Sequence, residues 1–175
     1  MKEDGSPAAV PQPQADFVMD RVLPAARERV FGAFTDATWL KRWWAPPGFE
    51  LAGARMDLRP GGSYHYALHA VDGFVLWGKL FYREIEPPQL LVYVSAFSNP
   101  AGTVAPHPLD ASWPRELLTT LTFAEHVEGT LVMLRCSLLP AATEDERITF
   151  ERAQEDLRPG WCDNLERLER LFHGG

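Results

Sequence analysis

Between Thr143 and His173 the apolar residues Phe150, Ala153, Leu157, Trp161, Leu165, Leu168 and Phe172 recur at intervals of three or four. That spacing puts all of them on one face of an α-helix for about six turns. Thr143 with Glu146 three positions later forms a capping box, which marks where the helix starts. A helix this long with one apolar stripe must lay that stripe on a broad apolar surface, because tertiary packing supplies most helical stability. Pro159 falls inside the pattern. It has no N–H for the carbonyl of Glu155, which predicts a bend. The stripe keeps its phase across Pro159, so the expectation is one kinked helix rather than two.

The rest of the chain supplies a sheet for that helix. Phe17-Val18-Met19 starts a first strand, and order is expected to begin at Asp16. Pro24 is expected to open a helix whose buried stripe is Val30, Phe31 and Phe34, with Arg27, Glu28 and Arg29 on the wet side. Asp36 is a good N-cap for a second short helix carrying Trp39, Leu40, Trp43 and Trp44, which Pro46-Pro47-Gly48 ends. Extended runs follow at 49–58, 63–71, 74–85 and 90–98, and then at 116–125 and 130–139. Turn signals separate them: Arg59-Pro60-Gly61-Gly62, Asp72-Gly73, Glu86-Pro87-Pro88 and Glu128-Gly129. Connections this short give antiparallel pairs. The proline-rich stretch 99–114 is the exception, and a loop of that length in a compact domain is usually functional or mobile. The predicted class is α+β: a curved antiparallel sheet wrapped around a long kinked C-terminal helix, with two short helices after the first strand. A curled sheet gripped by one helix can leave a pocket between them.

Composition narrows the function classes. With 46% hydrophobic and 23% charged residues, the chain holds one ordinary core. Beyond Met1, residues 1–15 carry a single large apolar side chain, Val10, and read as a disordered tail before one domain at 16–173. A net charge of −7 argues against nucleic acid, which is held by basic residues, and against a polybasic membrane anchor. No apolar run is long enough for a membrane span, and the start lacks a signal-peptide pattern. Cys136 and Cys162 form no metal or disulfide motif, so two reduced thiols in a cytoplasmic protein are expected.

Specific stretches carry a resemblance. They are Thr38-Trp39-Leu40-Lys41-Arg42-Trp43-Trp44-Ala45-Pro46, Met56-Asp57-Leu58-Arg59-Pro60-Gly61-Gly62-Ser63-Tyr64, and Tyr82-Arg83-Glu84-Ile85-Glu86-Pro87-Pro88. His107-Pro108 to Trp113-Pro114, Leu118-Thr119-Thr120, and Gly160-Trp161 with Leu165 and Leu168 complete the set. Over about residues 16–173 the chain resembles the START-like (SRPBCC) helix-grip superfamily. Within it, the chain is similar to the branch named for the activator of the ninety-kilodalton heat-shock chaperone's ATPase, whose bacterial members are mostly uncharacterised. The resemblance implies the helix-grip fold and a hydrophobic cavity. A chaperone partner is implied by the resemblance alone.

Candidate site residues follow from their places in this pattern. Trp161 and Leu165 lie on the inward stripe of the long helix. Trp44 sits with Trp39 and Trp43 at the open end of the sheet, where tryptophans either plug the core or touch a ligand. The face Tyr64-Tyr66-Leu68 is the apolar one of its strand and is expected inward. Leu121 and Phe123 are expected inward too, with Val132, Leu134 and Cys136 of the next strand. His107 and Trp113 lie in the long loop and face a ligand only if it covers the cavity mouth. For 74–85 and 90–98 both faces are apolar, which leaves Trp77, Tyr93 and Phe97 unassigned. His65 and His69 do not make a metal pair. Four residues along a strand separate them by roughly 13 Å, whereas each zinc ligand must approach to about 2 Å. No metal and no cofactor is expected.

No nucleophile elbow, P-loop or H-E-x-x-H is present. The expected function is therefore binding of a small hydrophobic molecule, with a homodimer left open. One alternative is a cyclase or aromatase, for which Tyr64, Tyr66 and His107 are the polar groups available inside. The other is a co-chaperone or protein-interaction module, which needs an exposed patch.

Overall fold

The computed structural model describes residues 16–174, so the predicted tail at 1–15 lies outside the described residues. Strand β1 (Phe17–Leu23) leads into helices α1 (Arg27–Thr35) and α2 (Ala37–Trp43). Six strands follow: β2 (Phe49–Met56), β3 (Ser63–Ala70), β4 (Val75–Glu86), β5 (Leu90–Ser98), β6 (Glu116–His126) and β7 (Gly129–Leu138). Helix α3 (Glu144–His173) closes the chain. The strands form one antiparallel sheet in the order β1-β7-β6-β5-β4-β3-β2. The architecture is the α+β helix grip. The register shifts between Ala52 and Ala54 and between Tyr82 and Glu84, and such bulges bend strands and increase their twist.

Local chemistry explains these boundaries. The Asp36 carboxylate accepts from the N–H groups of Thr38 and Trp39, which caps α2. The Asp72-Gly73 turn closes with Phe74 N–H donating to the Asp72 carboxylate. The capping box is complete, with Thr143 Oγ1 accepting from Glu146 N–H and the Glu146 carboxylate accepting from Thr143 N–H. Pro159 sits within α3, which continues through it as one helix. One expectation needs correcting: Pro24 does not open α1. The helix begins at Arg27 behind the N-cap Ala26. Pro24 lies in the preceding turn, whose carbonyl at Ala25 accepts from the buried Thr130 hydroxyl. That bond holds the turn against β7 and delays the helix by three residues.

The core fills the concave side unevenly. At the end nearest α1 and α2, Leu91, Leu121 and Leu134 form one buried layer across β5, β6 and β7. Phe123 packs there between Phe31 and Phe34, with ring centroids 5.4 and 5.3 Å away. The second half of α3 seals this end with Leu165, Leu168 and Phe172, all at most 5% exposed. No helix among the described residues is long and apolar enough to cross a membrane.

Candidate functional site: a cavity between the sheet and the long helix

Between that sealed end and the buried Phe150 near its start, the middle of α3 leaves a gap over the sheet at Leu157 and Trp161. The space beneath it is a cavity of about 200 Å³. Its floor is built in rows by the strand register. Tyr93 of β5, Thr119 of β6 and Cys136 of β7 are successive partners, and so are Leu80, Ser95 and Leu117. A third row pairs Tyr66, Gly78 and Phe97 across β3, β4 and β5. Leu68 and Leu76 complete that side.

Gly78 is what lets Tyr66 lie flat. A Cβ at position 78 would fall 2.4 Å from Tyr66 Cζ and 2.5 Å from its hydroxyl oxygen, so the ring occupies the space a side chain would take. Glycine in a strand commonly marks such a close approach.

Walls and roof come from three other elements. Trp44 caps the C-terminus of α2. Its carbonyl accepts from Asn164 Nδ2 at 3.0 Å, and Arg167 donates to the carbonyls of Trp43 and Ala45. The helix end thus has partners for its orphan carbonyls and is fastened to α3. Trp161, nearly one turn before Asn164, meets Trp44 at 5.9 Å and 85°, and Trp44 meets Tyr66 at 6.3 Å and 87°. Leu157 of α3 and Trp113-Pro114 of the long loop complete the enclosure. The loop is docked onto α3: Thr149 Oγ1 donates to Ser112 Oγ at 2.9 Å, and Arg115 N–H donates to Glu146 Oε1 at 2.9 Å.

The lining is apolar with a few phenol, hydroxyl and thiol groups. Burial raises the pKa of Tyr66, which the Trp44 indole, donating toward the hydroxyl, partly offsets. Burial also raises Tyr93 well above its ordinary value, opposed in part by a hydrogen bond from Thr119. Tyr64 and Tyr82 are raised as well, chiefly by burial. Cys136 is pushed up to about 11 by burial, so its thiol stays protonated. These are all four tyrosines of the chain, and each is a neutral phenol at pH 7. Among the described residues lining the cavity there is no Asp, Glu, Lys, Arg or His.

The residues expected at the site divide into two groups. Trp44, Tyr66, Trp113 and Trp161 line the cavity together. Tyr64, His107, Leu121, Phe123 and Leu165 are absent from its lining. Tyr64 lies fully buried behind Tyr66, the rings stacked at 5.2 Å and 28°. Leu121 and Phe123 point inward, but they sit one and two layers beyond the Tyr93 row, where α1 and α2 fill the space. Leu165 falls on the sealed half of α3. His107 organises the loop: Nδ1 accepts from the N–H groups of Leu109 and Asp110, while the ring packs on Phe97 at 4.5 Å. Partial burial lowers its pKa, against the pull of Asp110. His65 is on the opposite face of the sheet, stacked on Trp77 and bonded to the carbonyl of Asn99.

Sequence reasoning missed Leu76, Gly78, Leu80, Tyr93, Ser95, Ala96, Phe97, Pro114, Leu117 and Thr119 as lining residues. For those of β4 and β5 alternation gave no signal, because both faces of these strands carry apolar residues.

Comparison with known proteins agrees with this architecture. A protein of Chromobacterium violaceum is 25% identical, with a TM-score of 0.68 over 90% of this chain and 96% of its own. A protein of Staphylococcus epidermidis has a TM-score of 0.74 at 22% identity, covering 95% of this chain and 94% of its own. The AHSA1 protein of Silicibacter pomeroyi has a TM-score of 0.68 at 17% identity, covering 91% and 98%. No curated protein matches the chain. The family model described as "Activator of Hsp90 ATPase homolog 1-like protein" matches residues 24–173, from the turn before α1 to the last residue of α3, and the chain belongs to that family.

Proposed function

We propose that this protein binds a small apolar molecule in the cavity between α3 and the sheet. The observation that carries this reading is a 200 Å³ cavity placed where a solid core would otherwise continue. Interiors are close-packed, and voids of this size forfeit packing contacts. A ligand that fills the cavity restores them. The phenols and the thiol of the lining hold their protons at neutral pH, so they serve as hydrogen-bond donors and offer no base for a cyclase-type reaction.

The family's name points to a chaperone ATPase, and a protein partner is the second reading. The most exposed apolar residues do not favour it. Val71 and Val127 occupy turns at opposite ends of the sheet and Leu109 lies in the long loop, so they make single exposures rather than a patch.

Melting experiments with small apolar compounds test the cavity reading. A ligand at a hundred times its Kd stabilises by about 2.7 kcal/mol, which raises the Tm of a domain this size by about 5–10 °C. Ser95→Leu, which fills the floor, is expected to abolish that rise while leaving the free protein folded. Absence of a rise with any compound, or a rise that survives Ser95→Leu unchanged, counts against the reading.

A further inference from the structure

The cavity's size, charge and hydrogen-bonding pattern restrict what fits it more narrowly than apolar character does. This inference rests on the binding reading above. A dry apolar cavity of about 150 Å³ accommodates benzene; at about 200 Å³ this one has room for a single substituted ring. Its aromatic walls meet edge to face, Trp44 standing perpendicular to both Trp161 and Tyr66. A flat ring enters such a set with favourable edge and face contacts. No charged side chain lines the cavity among the described residues, so an ionised ligand would lose its hydration without a counter-charge.

The remaining polar atoms are few. Tyr66 and Tyr93 bring phenol hydroxyls to the lining, and Ser95 already gives its own O–H to the carbonyl of Leu117 at 3.4 Å. Each phenol still has its own O–H to give. The hydroxyls of Tyr64 and Tyr82, outside the lining, are buried without a hydrogen-bond partner among the described residues. The floor therefore offers phenol O–H donors to a ligand acceptor and no charged group. We propose that the cavity takes an uncharged single-ring aromatic molecule whose polar group is a carbonyl-type acceptor, received by the phenol cluster of the floor.

Acetophenone, cumene and benzoate share one heavy-atom skeleton and separate these requirements. Their affinities for the full chain at pH 7 are read by tryptophan fluorescence or calorimetry, with benzophenone as a two-ring ketone. Acetophenone is expected to bind about 3–10-fold more tightly than cumene, the worth of one net hydrogen bond. Benzoate is expected to bind at least about 100-fold more weakly. Tyr66→Phe or Tyr93→Phe, each checked for an unchanged fold, should bring the acetophenone-to-cumene ratio toward one. Cumene or benzoate binding as well as acetophenone, or benzophenone binding best, overturns the proposed class but keeps the cavity as a binding site. No binding of any of the four, nor of longer aliphatic probes, overturns both.

Discussion

At the scale of single residues, the site depends on one glycine and on tryptophans with different surroundings. Gly78 leaves the room that the Tyr66 ring occupies, so Gly78→Ala forces the ring off the floor or the strands apart. Overpacking of this kind costs about 1–3 kcal/mol. Denaturant unfolding should show that loss, and Tyr66→Leu in the same chain should recover part of it, because the two positions share one space. Full additivity of the two changes would show that the ring and the glycine are not in conflict. Trp43 and Trp161 provide a second contrast. Trp43 is 0% exposed, and its indole N–H donates to the carbonyl of Ala33. Trp43→Ala should cost about 3–5 kcal/mol. Trp161 borders a void on one side, so fewer contacts vanish and Trp161→Ala should cost less, while altering ligand affinity more than Trp43→Ala does. Equal costs for both, with binding untouched, would make Trp161 an ordinary core residue.

Among the elements, α3 does two jobs along its length. Its second half is bolted to the core by Leu165 and Leu168 and to the sheet by Arg21, whose guanidinium pairs with Glu169 at 2.5 Å. Its first half buries Phe150, reaches β1 through Arg158, which donates to the carbonyl of Val18, and is tied to the long loop by Thr149 and Glu146. Partial burial pushes the Glu146 carboxyl up, but the N–H groups of Thr143 and Arg115 together outweigh it and hold the group below its ordinary 4.5. A depressed pKa contributes stability above about pH 4.5, and that contribution is lost as pH falls through the lower folded value. Glu146→Gln should therefore be less stable than the parent by about 1 kcal/mol at pH 7, and the gap should close as pH falls below 4.5. A gap independent of pH would show that the carboxylate charge is not what holds loop and helix together. Much of this element was legible in sequence, because the stripe and the capping box are local patterns. The start of α1 was not, since Thr130, far away in the chain, fixes the turn after Leu23. Nor could alternation choose the inner faces of β4 and β5. The outer face is also apolar there, since the first part of the long loop returns over it: Lys79 donates to the carbonyl of Gly102, and His65 stacks on Trp77.

The whole molecule is a partly filled grip: a solid end closed by α1, α2 and the last turns of α3, and a cavity roofed by the middle of α3 and the loop. Inward direction was readable for Leu121, Phe123 and Leu165, but the layer at which the core gives way to a cavity was not. That boundary depends on where α1 and α2 stop, which is a property of the assembled fold. The same assembly buries Tyr64, Tyr82 and Tyr93 and leaves Tyr66 partly buried at the cavity. Their folded pKa values lie above the ordinary 10.0, so the stability they contribute is complete below pH 10 and falls as pH rises beyond it. Three buried phenols that release their protons only on unfolding give a slope of about 4 kcal/mol per pH unit. Tyrosinate absorbance should accordingly appear together with loss of structure, and a titration near pH 10 in the folded state would contradict the burial. The most direct test of the central claim is a side-chain NMR titration with acetophenone. Shifts are expected at the indoles of Trp44, Trp113 and Trp161 and at the methyls of Leu76 and Leu157, with Leu121, Leu165 and Leu168 unmoved. Shifts centred on the layer between α1, α2 and Leu121, or none at saturating ligand, would contradict the claim.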